Sequence, residues 1–217
     1  MPARKAIVAS AGALGALAAT QRLATAVAGT RTPADVAVDM PGDDLVPAAG
    51  VVLDRATVLP APAERVWPWL VQLGKERAGW YFPRSVERAI PPGRRGLRRI
   101  DPRWQQHDVG DRVPDWGLGN PLLELVDKQP PSSLVYLSLR DRAGGHGWPA
   151  DPDAPTVLRM SWVLHLSDLT GDRSRLHLRV RAAAGGRVLR HLADPLDTAT
   201  VLGLFAGLRE RVGGQDQ

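Results

Sequence analysis

The chain has 217 residues, of which 44% are hydrophobic and 24% charged, and its formal net charge is +5. This composition is ordinary for one globular domain, and the length is ample to bury a sizeable core. The absence of cysteine excludes disulfides, thiolate metal sites and a cysteine nucleophile. Most of the positive charge comes from scattered arginine, so the charge by itself does not indicate a nucleic-acid partner.

The first 29 residues differ in composition from the rest of the chain. Arg4 and Lys5 precede fourteen uncharged, mostly apolar residues (6–19), and a second apolar stretch follows Arg22. A basic start and a short apolar core resemble a secretory signal, although this core is too short to span a bilayer unaided. We therefore predict a signal or membrane anchor at residues 1–29, which favours membrane association or export. The alternatives are an alanine-rich helix and a degenerate anchor that lies on a membrane or packs on the domain, and a cytoplasmic location is the alternative for the compartment.

A linker is predicted at residues 30–50, where prolines and aspartates replace the apolar run. Its acidic residues are Asp35, Asp39, Asp43 and Asp44. One domain is then predicted over residues 51–213.

Residues 51–74 have the pattern of a strand, a proline corner and a short helix. Apolar residues in 51–58 roughly alternate with polar ones, as in a half-buried strand. Pro60 and Pro62 end the strand, and Pro62 suits the beginning of a helix. Pro68 lies inside that helix and predicts that it is short or bent. The apolar face of the helix consists of Val66, Trp67, Leu70, Val71 and Leu73.

The corner and helix at residues 61–74 resemble those of the SRPBCC, or helix-grip, superfamily, which includes START-like lipid-transfer and polyketide cyclase/dehydrase-like domains. Residues 41–47 (PGDDLVP) and 79–81 (GWY) further resemble an actinobacterial branch with an N-terminal hydrophobic segment. The resemblance implies an α+β fold, in which a curved antiparallel sheet wraps around a long C-terminal helix and two short helices follow the first strand. It also implies a ligand cavity between sheet and helix. Because the superfamily contains both binding proteins and enzymes, the activity stays open.

The rest of the chain is predicted to continue this arrangement. A second short helix is expected at 83–90, a mobile loop at 141–155 and a long helix at 195–212. The predicted strands begin near residue 109 and continue at 122–128, 134–140, 157–167 and 174–183.

Three of these strands show one apolar and one more polar face, which predicts a sheet that is covered on one side. The apolar faces consist of Val135, Leu137 and Leu139; of Leu158, Met160, Trp162, Leu164 and Leu166; and of Leu176, Leu178 and Val180.

Motifs for metal, nucleophilic or phosphate chemistry are missing. The five histidines are far apart in sequence, and no GxSxG or GxxxxGK[ST] pattern occurs. The arginine run at 94–103 is predicted to be a solvated loop, with contact to phosphate or anionic lipid as the alternative. We predict no catalytic residue, metal site or cofactor, and we do not expect nucleic acid as a partner.

Tryptophan is over-represented, with seven Trp against two Tyr and two Phe. Large aromatic residues in loops and on the inward strand face are typical of apolar cavities. Tyr81 and Glu87 match polar positions of the resembling branch. The predicted ligand-binding residues are therefore Trp80, Tyr81, Glu87, Trp104, Trp116, Trp148, Met160 and Trp162.

Three functions follow from these observations. The first, which we expect, is the binding of a small hydrophobic or lipid-like molecule between sheet and C-terminal helix. The second is a cyclase/dehydrase-like enzyme with a pocket acid and base, for which the candidates are His165, Glu87, Tyr81 and Arg159. The third is a structural or partner-binding domain with a closed interior. The oligomeric state is not indicated.

Overall fold

The computed structural model describes residues 38–116, 119–183 and 187–214, with the backbone alone for 187–199. The predicted signal or anchor and residues 30–37 of the predicted linker lie outside this part of the chain. The elements are β1 (Val51–Leu59), α1 (Ala63–Gln72), α2 (Arg84–Glu87), β2 (Arg112–Pro114), β3 (Leu122–Gln129), β4 (Ser133–Asp141), β5 (Val157–Leu169), β6 (Arg173–Ala182) and α3 (Arg187–Gly213). Single 3₁₀ turns occur at Asp43–Leu45, Pro92–Arg94 and Pro102–Trp104. None of the helices described is both long and apolar enough to cross a bilayer.

The strands form one antiparallel sheet in the order β1-β6-β5-β4-β3-β2. The sheet curves around α3, and α1 and α2 follow the first strand, so the predicted α+β, helix-grip-like fold class is confirmed. Two helices differ from their predicted limits. α2 is a single turn, because Pro83 precedes it and Pro91 soon follows it. α3 begins at Arg187. The predicted start was Pro195, because proline is common at the first position of a helix.

The main core lies between the inner face of the sheet, α1 and the C-terminal half of α3. α1 buries Val66, Trp69 and Leu70, while α3 buries a stripe that includes Leu204 and Leu208. Each such side chain contributes about 1.5–3 kcal/mol when it is removed from water. This part of the space between sheet and helix is therefore filled by side chains of the protein itself.

The described part of the predicted linker, residues 38–50, packs on the outer face of the sheet. Met40 forms a second small apolar cluster with Val135 and Val163. Gly42 has a φ of +79°, and a Cβ at this position would lie 2.4 Å from Val135 Cγ1. The segment therefore needs glycine there for its conformation and for its close approach to β4.

The predicted inward face of β4 is wrong, because residues 38–50 cover the outer side of this strand with apolar contacts. In β4 the residues that face the core are Leu134, Tyr136, Ser138 and Arg140, as their cross-strand partners on β5 show. Val135, from the predicted inward face, instead contacts Met40 on the outer side. Because both faces of β4 are covered, apolar alternation does not indicate which side is inward.

Candidate functional site

Four of the eight predicted ligand-binding residues lie together on the inner face of the sheet. Met160 and Trp162 are inward residues of β5, Trp80 belongs to the loop that follows α1, and Trp116 follows β2. The indole N–H of Trp80 donates to the Thr200 carbonyl of α3 at 3.0 Å. This bond ties the loop to the long helix, so the four residues lie where sheet, loop and helix meet.

Three tryptophans, a tyrosine and a histidine form a continuous series of ring contacts, which we call the aromatic row. Trp116 meets Trp80 edge to face, with ring centroids 5.1 Å apart. Trp80 stacks on Trp162 at 6.1 Å, and Trp162 contacts Tyr136 at 5.5 Å. Tyr136 then stacks on His107 at 5.8 Å. These separations are the ones that aromatic pairs prefer, so the rings support one another.

The aromatic row changes from exposed to buried along its length. Trp116 is 47% exposed, Trp80 and Trp162 are half-buried, and Tyr136 and His107 are 2% and 0% exposed. The outer rings, Trp116, Trp80 and Trp162, therefore keep surface that solvent or another molecule can contact. The inner pair is closed off from solvent.

The inner end of the row is a hydrogen-bonded pair. The Tyr136 Oη lies 3.1 Å from His107 Nε2, and His107 Nδ1 lies 3.4 Å from Asp111 Oδ2. Burial raises the pKa of Tyr136, while burial and the nearby Arg77 charge lower the pKa of His107. Both groups are therefore neutral at pH 7, with the tyrosine hydroxyl donating to Nε2 and the Nδ1 proton directed at Asp111.

A half-buried ion pair lies beside the outer rings. Arg140 Nη2 donates to Asp115 Oδ2 at 2.5 Å, and its Nε donates to Ser138 Oγ at 3.1 Å. The same guanidinium lies 3.8 Å from the Met160 sulfur. A fixed cation thus borders the apolar surface of the row, an arrangement that can hold an oxygen or anionic group of a ligand.

The other four predicted ligand residues have different partners. Tyr81 is buried in the core, where its hydroxyl donates to the Trp69 carbonyl at 2.9 Å. Glu87 is buried in an ion pair with Arg211. Trp104 packs under Arg77 and Arg103, at 5.3 Å and 5.8 Å from its ring centroid, and Trp148 packs under Arg112 at 4.0 Å.

The acid–base candidates of the enzyme hypothesis do not converge. His165 and Arg159 lie on the outer face of β5, whereas Glu87 and Tyr81 are engaged elsewhere as described. Burial and the neighbouring His177 lower the pKa of His165. Within the described ranges, no three His, Asp or Glu side chains are grouped as metal ligands would be.

Four residues of the site are not among the predicted ligand-binding residues: Tyr136, His107, Arg140 and Asp115. The sequence places Tyr136 and Arg140 on the more polar face of β4, opposite Val135, Leu137 and Leu139. His107 and Asp115 belong to connections without periodicity, and their sequence carries no signal that would have singled them out.

Comparison with known proteins shows similarity in structure alone. No family model and no curated protein matches the chain. Protein MLL2253 of Mesorhizobium loti has 18% identity and a TM-score of 0.45, covering 77% of this chain and 100% of its own. Protein Ms6760 of Mycobacterium smegmatis has 16% identity and a TM-score of 0.45, covering 76% and 92%. DynU16, from the dynemicin biosynthetic locus, has 15% identity and a TM-score of 0.42, covering 75% and 47%. Similarity this low carries no conclusion about function.

Proposed function

We propose that this chain is an SRPBCC-type helix-grip domain that binds a small hydrophobic molecule at the outer end of the aromatic row. The observation that carries the proposal is the partial exposure of Trp116, Trp80 and Trp162 on the core side of the sheet. Stacked indoles in this position present flat apolar surface at little cost in side-chain entropy.

The neighbouring side chains define the class of ligand. Trp80 and Trp162 stack nearly parallel, with 22° between their planes, and suit a flat or unsaturated ring system. Met160 adapts to irregular shapes, and Arg140 can donate to a carboxylate, sulfonate or ketone at the edge of that ring. A ligand that covers about 200 Å² of apolar surface would gain about 5 kcal/mol from burial before the costs of binding.

Binding is favoured over catalysis because the one carboxylate described beside the outer rings, that of Asp115, is held in an ion pair with Arg140. The nearest pair that can exchange a proton, Tyr136 and His107, is 2% and 0% exposed. The filled core between sheet, α1 and α3 is compatible with the closed-interior alternative, and the partly exposed indoles are the observation that favours ligand binding over it. Attachment to a membrane through residues 1–29 remains a prediction, independent of this site.

A substitution pair tests the proposal with anilinonaphthalene sulfonate, a probe with two aromatic ring systems and one anion. We expect Trp162→Leu to weaken the binding of the probe by about tenfold, because it removes the ring that contacts both Trp80 and Tyr136. Trp104→Leu is the matched control, since that indole packs under Arg77 and Arg103 instead. Probe fluorescence gives the dissociation constants, and near-ultraviolet circular dichroism checks the fold. Equal dissociation constants for the two variants would refute the site.

A further inference from the structure

A depression lies near the C-terminal end of α3. It has a volume of about 370 Å³ and is lined by Arg84, Glu87, Arg88, Arg95, Gly96 and Arg98. We call it the arginine pocket. Its neighbour on α3 is Glu210, which accepts from Arg98 and from the Arg84 backbone N–H. Thr200, which holds Trp80, lies about 15 Å along the helix axis from Glu210. The arginine pocket shares none of its lining residues with the aromatic row.

The charges that line the arginine pocket are unbalanced. Four guanidinium groups face one carboxylate, that of Glu87. This carboxylate is already bound by Arg211 Nη2 at 2.7 Å and by Arg98 Nε at 2.8 Å. No carboxylate of the described residues pairs with Arg84, Arg88 or Arg95. Three positive charges in one depression repel each other and attract an anion.

The loop that carries Arg95 and Arg98, which we call the arginine-bearing loop, is held in place through its backbone. A Cβ on Gly96 would lie 2.5 Å from the Trp80 carbonyl oxygen, so the loop can approach residues 80–81 only because this position is glycine. The Leu97 N–H donates to the Ala78 carbonyl at 2.8 Å. Arg211 of α3 donates to the carbonyls of Gly96 and Leu97. Arg95 and Arg98 therefore project from a loop whose backbone is held in place, and Arg95 is exposed to solvent.

We infer that the arginine pocket binds a phosphate group. Guanidinium groups bind phosphate oxygens through paired N–H donors, and several of them around one depression match the three or four oxygens of a phosphate. The group is carried by a soluble phosphate compound or by the headgroup of an anionic lipid. This inference goes beyond the proposed function and does not depend on it.

The full-length chain is tested with two probes, inorganic phosphate and vesicles. Calorimetry measures binding of phosphate, and sedimentation measures binding to vesicles of equal parts phosphatidylglycerol and phosphatidylcholine, with pure phosphatidylcholine as reference. The double substitution Arg84→Gln/Arg88→Gln removes two exposed guanidinium groups that line the depression. Arg142→Gln/Arg173→Gln is the control, because it removes the same charge at exposed positions outside the pocket, one just after β4 and one at the start of β6.

We expect the pocket variant, and not the control, to lose affinity by about tenfold or more. A loss toward phosphate in solution supports a soluble phosphate ligand. A loss confined to the phosphatidylglycerol vesicles supports a lipid headgroup. If the pocket variant and the control behave alike with both probes, the inference is overturned. Any attachment through residues 1–29 is common to both variants and cancels in this comparison.

Discussion

The Glu87 carboxylate is buried between two arginines, one from the loop after α2 and one from the end of α3. The Glu87 side chain is 5% exposed and that of Arg211 is 1% exposed, so little water can replace either partner. Arg211 also donates to the carbonyls of Phe82, Gly96, Leu97 and Gly207. A residue predicted to line a ligand cavity thus fastens α2, the arginine-bearing loop and α3 to each other.

Removing the charge of Glu87 tests this role. We expect Glu87→Gln to lower the free energy of unfolding by about 3 kcal/mol, because it leaves Arg211 as a buried charge without its counterion. Glu124→Gln is the matched control. Its partner Arg112 has a side chain that is 45% exposed, so the loss there should stay under about 1 kcal/mol. Urea unfolding measures both, and equal losses would contradict the structural role of Glu87.

At the scale of elements, a buried polar network fastens residues 38–47 to the outer face of the sheet. Asp54 Oδ1 on β1 accepts from His177 Nε2 and from Arg179 Nε on β6, each at 2.8 Å. Arg179 also donates to Asp43 Oδ2 at 2.6 Å and to the Val38 carbonyl at 2.8 Å. Burial opposes ionisation of Asp54, but the hydrogen bonds from His177 and Arg179 outweigh it and lower the pKa of this carboxyl.

The lowered pKa predicts a pH dependence of stability. Because the carboxyl of Asp54 ionises more readily in the folded state, its contribution is fully present above the ordinary pKa of 3.8 and is lost as the pH falls through the folded pKa. We expect Asp54→Asn to destabilise the protein by about 2–3 kcal/mol at neutral pH. The difference from the unchanged chain should shrink below about pH 4. Urea unfolding at neutral and acidic pH measures this difference in unfolding free energy. A difference that does not change with pH would contradict a lowered pKa of Asp54 in the folded state.

The elements themselves could be predicted from local sequence, and their contacts only in part. Strand limits agree within a few residues because alternation and turn residues act locally. The inward face of β4 could not be inferred, since residues 38–50 cover its other side with equally apolar contacts. The tryptophans indicate an aromatic surface by composition, but the contact of Trp162 with Trp80 and Tyr136 depends on strand register and on the path of a loop.

At the scale of the whole molecule, α3 contacts two regions of different chemistry. Its C-terminal half closes the core and borders the arginine pocket through Glu210 and Arg211. Thr200, further toward its N-terminus, binds Trp80 of the aromatic row. One helix thus connects an apolar surface, suited to a hydrophobic ligand, with a cationic depression suited to phosphate. We propose that the partly exposed indoles of the aromatic row form the ligand site.

Nuclear magnetic resonance of the indole N–H groups tests this claim most directly. Each of the seven tryptophans gives one such resonance, and Trp→Phe substitutions assign them. On addition of anilinonaphthalene sulfonate to the isotope-labelled chain, we predict saturable shifts of the Trp80, Trp116 and Trp162 resonances, while those of the buried Trp69 and of Trp104 stay in place. Shifts that are absent from the row, or equal across all the tryptophans, would contradict a ligand site there.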